Sequence, residues 1–480
     1  MSLDTSNAAT HVDRTWDDTI VPALLDYIRI PNVSVAYDPG WAEAGHMDRA
    51  TELLRQWCTD RVGSMPGATV EVLELEGRTP LLIVEVPATA GAVSAGPDDT
   101  VLLYGHLDKQ PPFTGWRDGL GPWEPVIDGP RLYGRGGADD GYATFAALTA
   151  IEAVRAGGGE HGRCVVLIEA SEESGSPDLP AHLAALGNQL GSPSLVVALD
   201  SWCGDWDRLW LTTSLRGLVD MVVEVEVLTE GVHSGSAGGV VPSSFRVLRA
   251  VLDRIEDAST GAVLVPELHV EVPEQRRRQI AETAPDLGDF AARFPLAEGV
   301  WPERATTEEL LTARTWSPAV EVVGIAGAPP PRAAGNVLRP STSIKLSVRL
   351  PPTVDAGDAA RTLADRLTGD PPHGARVTVT PGTAEDGWHA PPEPAWLLDA
   401  LDTASTAAFG GPHRALGEGG TIPFMGMLGR RFPAAHFVVT GVLGPGANAH
   451  GPNEFLHLPT ARNVTTAVAH LLDAHARRPG

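Results

Sequence analysis

The order of apolar and polar residues divides the chain into two kinds of segment. Three runs, VLLYGH ending at His106, VVLIE ending at Glu169 and LVVALD ending at Asp200, are almost continuously apolar and bounded by Gly, Pro or charge. Successive strand side chains point to opposite faces, so a run apolar at every position predicts a strand covered on both sides, as in a parallel sheet flanked by helices. Helical spacing over residues 16–32 and 47–62, then strands alternating with helices to about Leu211, predicts a doubly wound α/β layer. From Arg216 the pattern changes: GLVDMVVEVEV alternates, and a Gly-rich loop, an amphipathic helix in SSFRVLRAVLDRIEDA and the strands TSIKLSVRL and ARVTVT follow. This is an α+β insert, with strands on one face and helices on the other. Beyond Thr383 the chain returns to helix (AWLLDALDTASTAAF), a Gly-rich turn and the strand AAHFVVTGV. The expected fold is α/β: a discontinuous domain of residues 1–213 and 384–480 with a mostly parallel, doubly wound sheet, and an inserted α+β domain at 214–383. Residues 88–99 and 271–318, rich in Pro and charge, are expected as surface excursions, and no internal repeat is visible.

Composition narrows the class. A chain of 480 residues exceeds one ordinary core, and 43% hydrophobic with 20% charged residues describes a globular protein. No apolar run approaches the roughly 18 residues of a membrane span. The net charge of −25, from 36 basic and 61 acidic residues, argues against nucleic acid or an anionic membrane as partner. Cys58, Cys164 and Cys203 cannot all pair and show no CxxC spacing, and the N-terminus has neither a basic nor an apolar signal region, so a reducing, cytoplasmic location is expected.

The chemistry-bearing residues lie where the strand pattern ends. His106 and Asp108 close the first run, Glu172 and Glu173 follow the second, Asp200 closes the third, and Asp139 and His450 sit in the Gly-rich loops LYGRGGADDG and GPGANAHGPNE. Taken singly, each has a plain reading as a cap, a solvated turn or an exposed loop histidine. Together they supply His nitrogen and carboxylate oxygen at strand ends, where open α/β sheets gather ligands. Two metals a few ångströms apart need a bridging ligand, and a carboxylate has two oxygens to share. Asp139 is the bridge candidate; His106 and Asp200 would complete one metal, Glu173 and His450 the other. Neighbours on a chain point apart, so one carboxylate of the Glu172-Glu173 pair can bind metal while the other stands over the water as general base. Asp108 is placed to fix the His106 tautomer.

These motifs, with LLDYIRIPNVS, GWRDGLGPWEP, EGVHSG, SVRLPP and GEGGTIP, resemble the metallopeptidase family that includes aminoacylase, acetylornithine deacetylase, succinyl-diaminopimelate desuccinylase, bacterial carboxypeptidase G and the carnosine-type and non-specific dipeptidases. Within it the dipeptidase branch matches best. The resemblance implies His106, Asp139, Glu173, Asp200 and His450 as metal ligands, Glu172 as base, Asp108 as the His106 orienter and a cis peptide between Asp139 and Asp140. It makes the insert a lid and dimerisation domain whose His233 reaches the partner's site and polarises the scissile carbonyl. It places Asn336 and Arg349 on the substrate and Gly420-Thr421 at its carboxylate. The implied activity is hydrolysis of dipeptides by a homodimer with two divalent ions per subunit, zinc first and manganese or cobalt acceptable to the same donors. An N-acyl-amino-acid deacylase would use the same chemistry on another acyl group; a catalytically silent binder would have lost a ligand or the base, and none is lost. One departure stands out: Gly141-Tyr142 follows the aspartate pair where the family has Lys-Gly.

Overall fold

The computed structural model describes residues 3–93, 96 and 98–479, so part of the excursion expected at 88–99 (residues 94, 95 and 97) and the chain ends 1, 2 and 480 lie outside the described residues. Ten strands build the two larger sheets. In chain order they are β1 (Thr69–Leu73), β2 (Leu81–Val86), β3 (Asp99–His106), β4 (Arg163–Glu169), β5 (Ser192–Ala198), β6 (Gly217–Glu226), β7 (Ala319–Ala326), β8 (Ser341–Leu350), β9 (Arg376–Glu385) and β10 (His436–Val439).

The chain forms two compact units, one of residues 1–213, 390–416 and 427–480, the other of 214–389 and 417–426. The first holds a six-stranded sheet in the order β1-β2-β4-β3-β5-β10. Its last four strands are mutually parallel, while β1 and β2 run antiparallel at one edge. The apolar runs form β3, β4 and β5, buried along nearly their whole lengths. Helices Thr5–Thr15, His46–Val62, Tyr142–Ala156 and Leu458–Ala476 contribute Val12, Leu54, Ile151 and Val468 to the same core as Leu103 and Val166. Register sets the site: His106 pairs with Glu169 and Tyr104 with Ala198, so the carboxyl ends of the three strands stand level.

The second unit holds an antiparallel sheet in the order β7-β8-β6-β9. Burial alternates along β6 and β8, and the inward face packs on helices Ser244–Leu252 and Ala356–Thr368 through Val223, Leu346, Val251 and Leu363. The expected excursion at 271–318 contains helices Glu274–Leu287 and Thr307–Trp316. The short segment 417–426, assigned by sequence to the returning domain, belongs instead to this unit, because Arg216 Nε donates to the Gly419 carbonyl and Thr421 Oγ1 donates to the Arg216 carbonyl. No helix among the described residues is long and apolar enough to cross a membrane.

Candidate active site

Seven of the residues singled out in the sequence converge in the first unit. His106 is the last residue of β3; its Nδ1 donates to the Asp108 carbonyl oxygen at 3.1 Å, which turns Nε2 toward Asp139 Oδ1 at 3.3 Å and Asp200 Oδ2 at 3.7 Å. His450, held at φ 61° in its glycine- and asparagine-rich loop, brings Nε2 to 3.0 Å from Asp139 Oδ2 and 3.2 Å from Glu173 Oε2. Two triads, His106-Asp139-Asp200 and Asp139-Glu173-His450, each hold their donor atoms within 4.8 Å of one another, and Asp139 serves both through different oxygens. Glu172 belongs to neither triad; its Oε2 stands 4.0 Å from His106 Nε2.

The Asp108 carboxylate has partners besides the imidazole. Its Oδ1 is 3.4 Å from His106 Nδ1, farther than its own carbonyl oxygen, whereas the two carboxylate oxygens accept the Glu172 and Glu173 N–H groups at 3.0 Å each. Asp108 therefore ties the end of β3 to the start of the Glu172–Ser174 turn, setting the two glutamates relative to the imidazole. Gln110 fixes Glu173 further, its Nε2 donating to Oε2 at 2.6 Å.

Electrostatics favour positive charge between the triads. Burial raises Glu172 well above the ordinary carboxylate range and lifts Asp200 to about 7, with neighbouring carboxylates adding to both against the pull of His106. Glu173 is raised by burial and by Asp139. Burial would raise Asp139 too, but His106 and His450 hold it below its usual value. Burial opposes charging of the two imidazoles, yet hydrogen bonds to carboxylates outweigh it and draw His450 up to about 11. Four crowded carboxylates and two imidazoles compete for protons where a divalent cation would relieve the repulsion. Glu173 Oε1 is buried with no hydrogen-bond partner. The donors, all nitrogen and carboxylate oxygen, fit such an ion.

Three residues that sequence reasoning passed over brace this arrangement. Glu454, wholly buried, accepts from the N–H groups of Gly136, Ala138 and Asp139 at 3.0, 3.3 and 3.3 Å and from Arg135 Nη1 at 2.6 Å, while Arg135 Nη2 donates to the Gly451 carbonyl at 2.6 Å. The loop of Asp139 and the loop of His450 are thereby one hydrogen-bonded unit. The Asp139–Asp140 peptide within it is cis. Lys109, also fully buried, donates to the Tyr27 and Ile30 carbonyls at 2.8 Å each and lies 4.0 Å from the centre of the Tyr27 ring. The missing lysine of the aspartate-pair motif has a steric explanation: a Cβ at Gly141 would stand 2.2 Å from Tyr27 Cε1. Tyr142 is buried there and donates its hydroxyl to the Leu199 carbonyl, beside Asp200. The signals were present as charge inside apolar or glycine context, Lys109 directly after a buried strand and Arg135 between glycines.

The remaining predicted residues lie in the second unit, in two groups. His233 and Asn336 are neighbours on the short ribbon of Val232–His233 and Val337–Leu338, where Ser234 N–H donates to the Asn336 carbonyl at 2.9 Å. His233 is exposed, and its Nδ1 accepts the Gly235 N–H at 3.1 Å, so the neutral ring carries its proton on Nε2. Arg349 and Thr421 form the other group, Nη1 donating to Oγ1 at 3.2 Å, with Gly420 exposed beside them.

Comparison with known proteins agrees with this geometry. The profile of peptidase family M20/M25/M40 matches residues 102–474. A cysteinylglycine-S-conjugate dipeptidase of Corynebacterium striatum is 29% identical over 389 residues, covering 78% of this chain and 81% of that protein. A Beta-Ala-His dipeptidase of Homo sapiens is 25% identical over 361 residues, covering 67% and 69%. Among solved structures, the di-peptidase Dug1p of Saccharomyces cerevisiae superposes with a TM-score of 0.74 at 21% identity, covering all of both chains.

Proposed function

The chain belongs to peptidase family M20/M25/M40, and on that footing we propose that it is a metallodipeptidase, hydrolysing the amide bond of small peptides with a free carboxylate by means of a water that two bound metal ions would activate. The observation that carries this reading is Asp139, shared by two triads of ligand-type residues, with Glu172 beside them and outside both. His106, Asp139 and Asp200 would hold one ion, and Asp139, Glu173 and His450 the other. Bound there, two divalent cations would lower the pKa of a water toward about 7 and polarise the substrate carbonyl. Glu172 takes the water's proton and returns it to the leaving amine.

Substrate binding falls to the second unit. Arg349 offers a planar fork for the C-terminal carboxylate, and the Gly420-Thr421 turn is its companion. Asn336 contacts the substrate near His233, whose Nε2–H is the donor for the carbonyl oxygen. The active form is a homodimer in which His233 serves the partner's site. Val322, Val323 and Ile325, exposed on edge strand β7, are the kind of surface a second copy would cover. Zinc is the expected ion, with manganese and cobalt able to replace it. Three buried cysteines, none of them in a disulfide, suit a reducing, cytoplasmic setting.

The test is an amide panel on the metal-loaded protein: Cys-Gly, β-alanyl-histidine and alanyl dipeptides beside N-acetyl amino acids. Hydrolysis of the dipeptides with little turnover of the N-acetyl compounds is expected. The reverse order would make the protein a deacylase.

A further inference from the structure

Residues 271–318, for which the sequence offered no role, help enclose a cavity of about 550 Å³ in the second unit. Phe290, Phe294, Leu310 and Val320 give it apolar walls, and its volume falls in the range of small-molecule pockets, about 300–1,000 Å³. The charged residues on its walls are Arg216, Arg304, Arg314, Glu256, Glu303 and Glu321. Arg304 is accounted for by Glu303 at 3.9 Å, and Arg314 is attracted by Glu418. Arg216 is different.

Its Nε donates to the Gly419 carbonyl at 3.1 Å and its Nη1 reaches the Ser317 carbonyl only at 3.5 Å, while Nη2 donates to nothing among the described residues. The Arg216 carbonyl accepts the Thr421 hydroxyl at 2.6 Å, and that same hydroxyl accepts from Arg349 Nη1 at 3.2 Å. The turn is pressed against this cation: a Cβ at Gly419 would lie 3.0 Å from Arg216 Nη2. Arg349 stands directly across the β7–β8 ladder from Ala319, which lines the cavity. The Arg349 guanidinium and the Arg216 main chain thus meet at one threonine, and neither guanidinium has a carboxylate within 4.0 Å among the described residues. Burial and the like charges of Arg349 and Arg314 pull Arg216 down to about 10, with Glu321 the one acid that offsets them. A half-buried guanidinium with an unspent donor and no counter-ion is placed to receive an anion.

We propose that Arg216, beside Arg349 and the Thr421 turn, forms a second anion subsite that takes the side-chain carboxylate of an aspartate or glutamate at the C-terminal position of the substrate. The inference rests on the dipeptidase reading, in which Arg349 and Thr421 hold the main-chain carboxylate. In aspartate the two carboxylates are only two carbons apart, and the two guanidiniums hold the same turn, Arg216 Nε on the Gly419 carbonyl and Arg349 Nη1 on the Thr421 hydroxyl. The cavity behind Arg216 gives the longer glutamate room.

The test compares Ala-Asp with its neutral isostere Ala-Asn. At least a tenfold preference in kcat/KM for Ala-Asp, carried by KM, is expected. Arg216→Gln should bring the ratio to within about twofold of unity, Arg216→Lys should leave it intermediate, and Glu321→Gln, which removes the opposing charge at an exposed position, should raise it. A wild-type ratio near one overturns the proposal, as does an Arg216→Gln enzyme that loses both substrates equally and keeps the ratio. If Arg216→Gln does not fold, the wild-type ratio and the other two variants still decide. Calorimetric binding of the two peptides to metal-free protein reads the subsite without catalysis: a binding preference with no hydrolysis of either peptide would count against the dipeptidase reading alone, and equal binding would count against the subsite.

Discussion

Replacing Glu454 by glutamine removes one negative charge from the centre of the brace and little else. The amide oxygen can still accept from Gly136, Ala138 and Asp139, so the backbone contacts survive in kind. The Arg135 guanidinium, 1% exposed, loses the carboxylate 2.6 Å away and meets an amide N–H₂ instead. Breaking a buried ion pair from one side typically costs about 3–5 kcal/mol, because the remaining charge stays desolvated. A unit of this size shifts its midpoint by roughly 2–4 °C per kcal/mol, so a fall of about 6–20 °C is expected. The loop also carries Asp139, and disturbing groups that orient metal ligands commonly weakens affinity about 10–100-fold. Thermal unfolding and metal titration at pH 8, above the value of about 7 to which burial raises Glu454, provide both readouts. The control is Glu454→Gln combined with Arg135→Met, which removes the stranded cation and should recover much of the midpoint, since apolar replacement of a buried pair is often close to neutral. A single variant within about 2 °C of wild type, or a double variant no better than the single, would refute this reasoning.

Other outcomes follow from the same geometry. Glu172→Ala should keep its metal and lose about 10²–10⁴-fold in kcat, whereas Glu173→Ala should lose metal; the opposite pattern by elemental analysis and kinetics would reverse the two roles. Gly141→Lys, which would restore the family's usual residue, should lower the thermal midpoint sharply because its Cβ would enter the Tyr27 ring, and an unchanged midpoint would show that Tyr27 can move aside. Lys109→Met should destabilise by about 1–3 kcal/mol by leaving the Tyr27 and Ile30 carbonyls without their donor, read as a lower midpoint of chemical unfolding. Mixing Glu172→Ala with His233→Ala protein under conditions of subunit exchange should restore activity above either parent; no recovery would mean that His233 does not serve a partner's site.

The parts legible in the sequence are those written in local pattern. Continuous apolar runs located β3, β4 and β5, and because parallel strands end level, the residues just beyond them had to lie near one another. The alternation from Gly217 marked a strand of a different kind, which pairs in the second sheet. What stayed hidden depends on partners distant in the chain. Glu454 meets Arg135 across 319 positions, and Lys109 reaches Tyr27 across 82, with no periodicity to announce either. The segment around Thr421 was misassigned for the same reason: a Gly-rich turn has no burial pattern, and the hydrogen bonds from Arg216 and Thr421 that recruit it span about two hundred residues. Asp108 was recognised as important but given one job, since spacing from His106 cannot reveal that its carboxylate also faces two backbone N–H groups on another strand's exit.

The central claim is that Asp139 joins two cation sites into one. Metal stoichiometry by elemental analysis, on wild type and on Asp139→Ala after equilibrium dialysis against a divalent ion, tests it most directly. The account predicts about two ions per chain in the wild type and loss of both sites in the variant. One ion per chain in the wild type, or a variant that gives up one and keeps the other at full affinity, would contradict it.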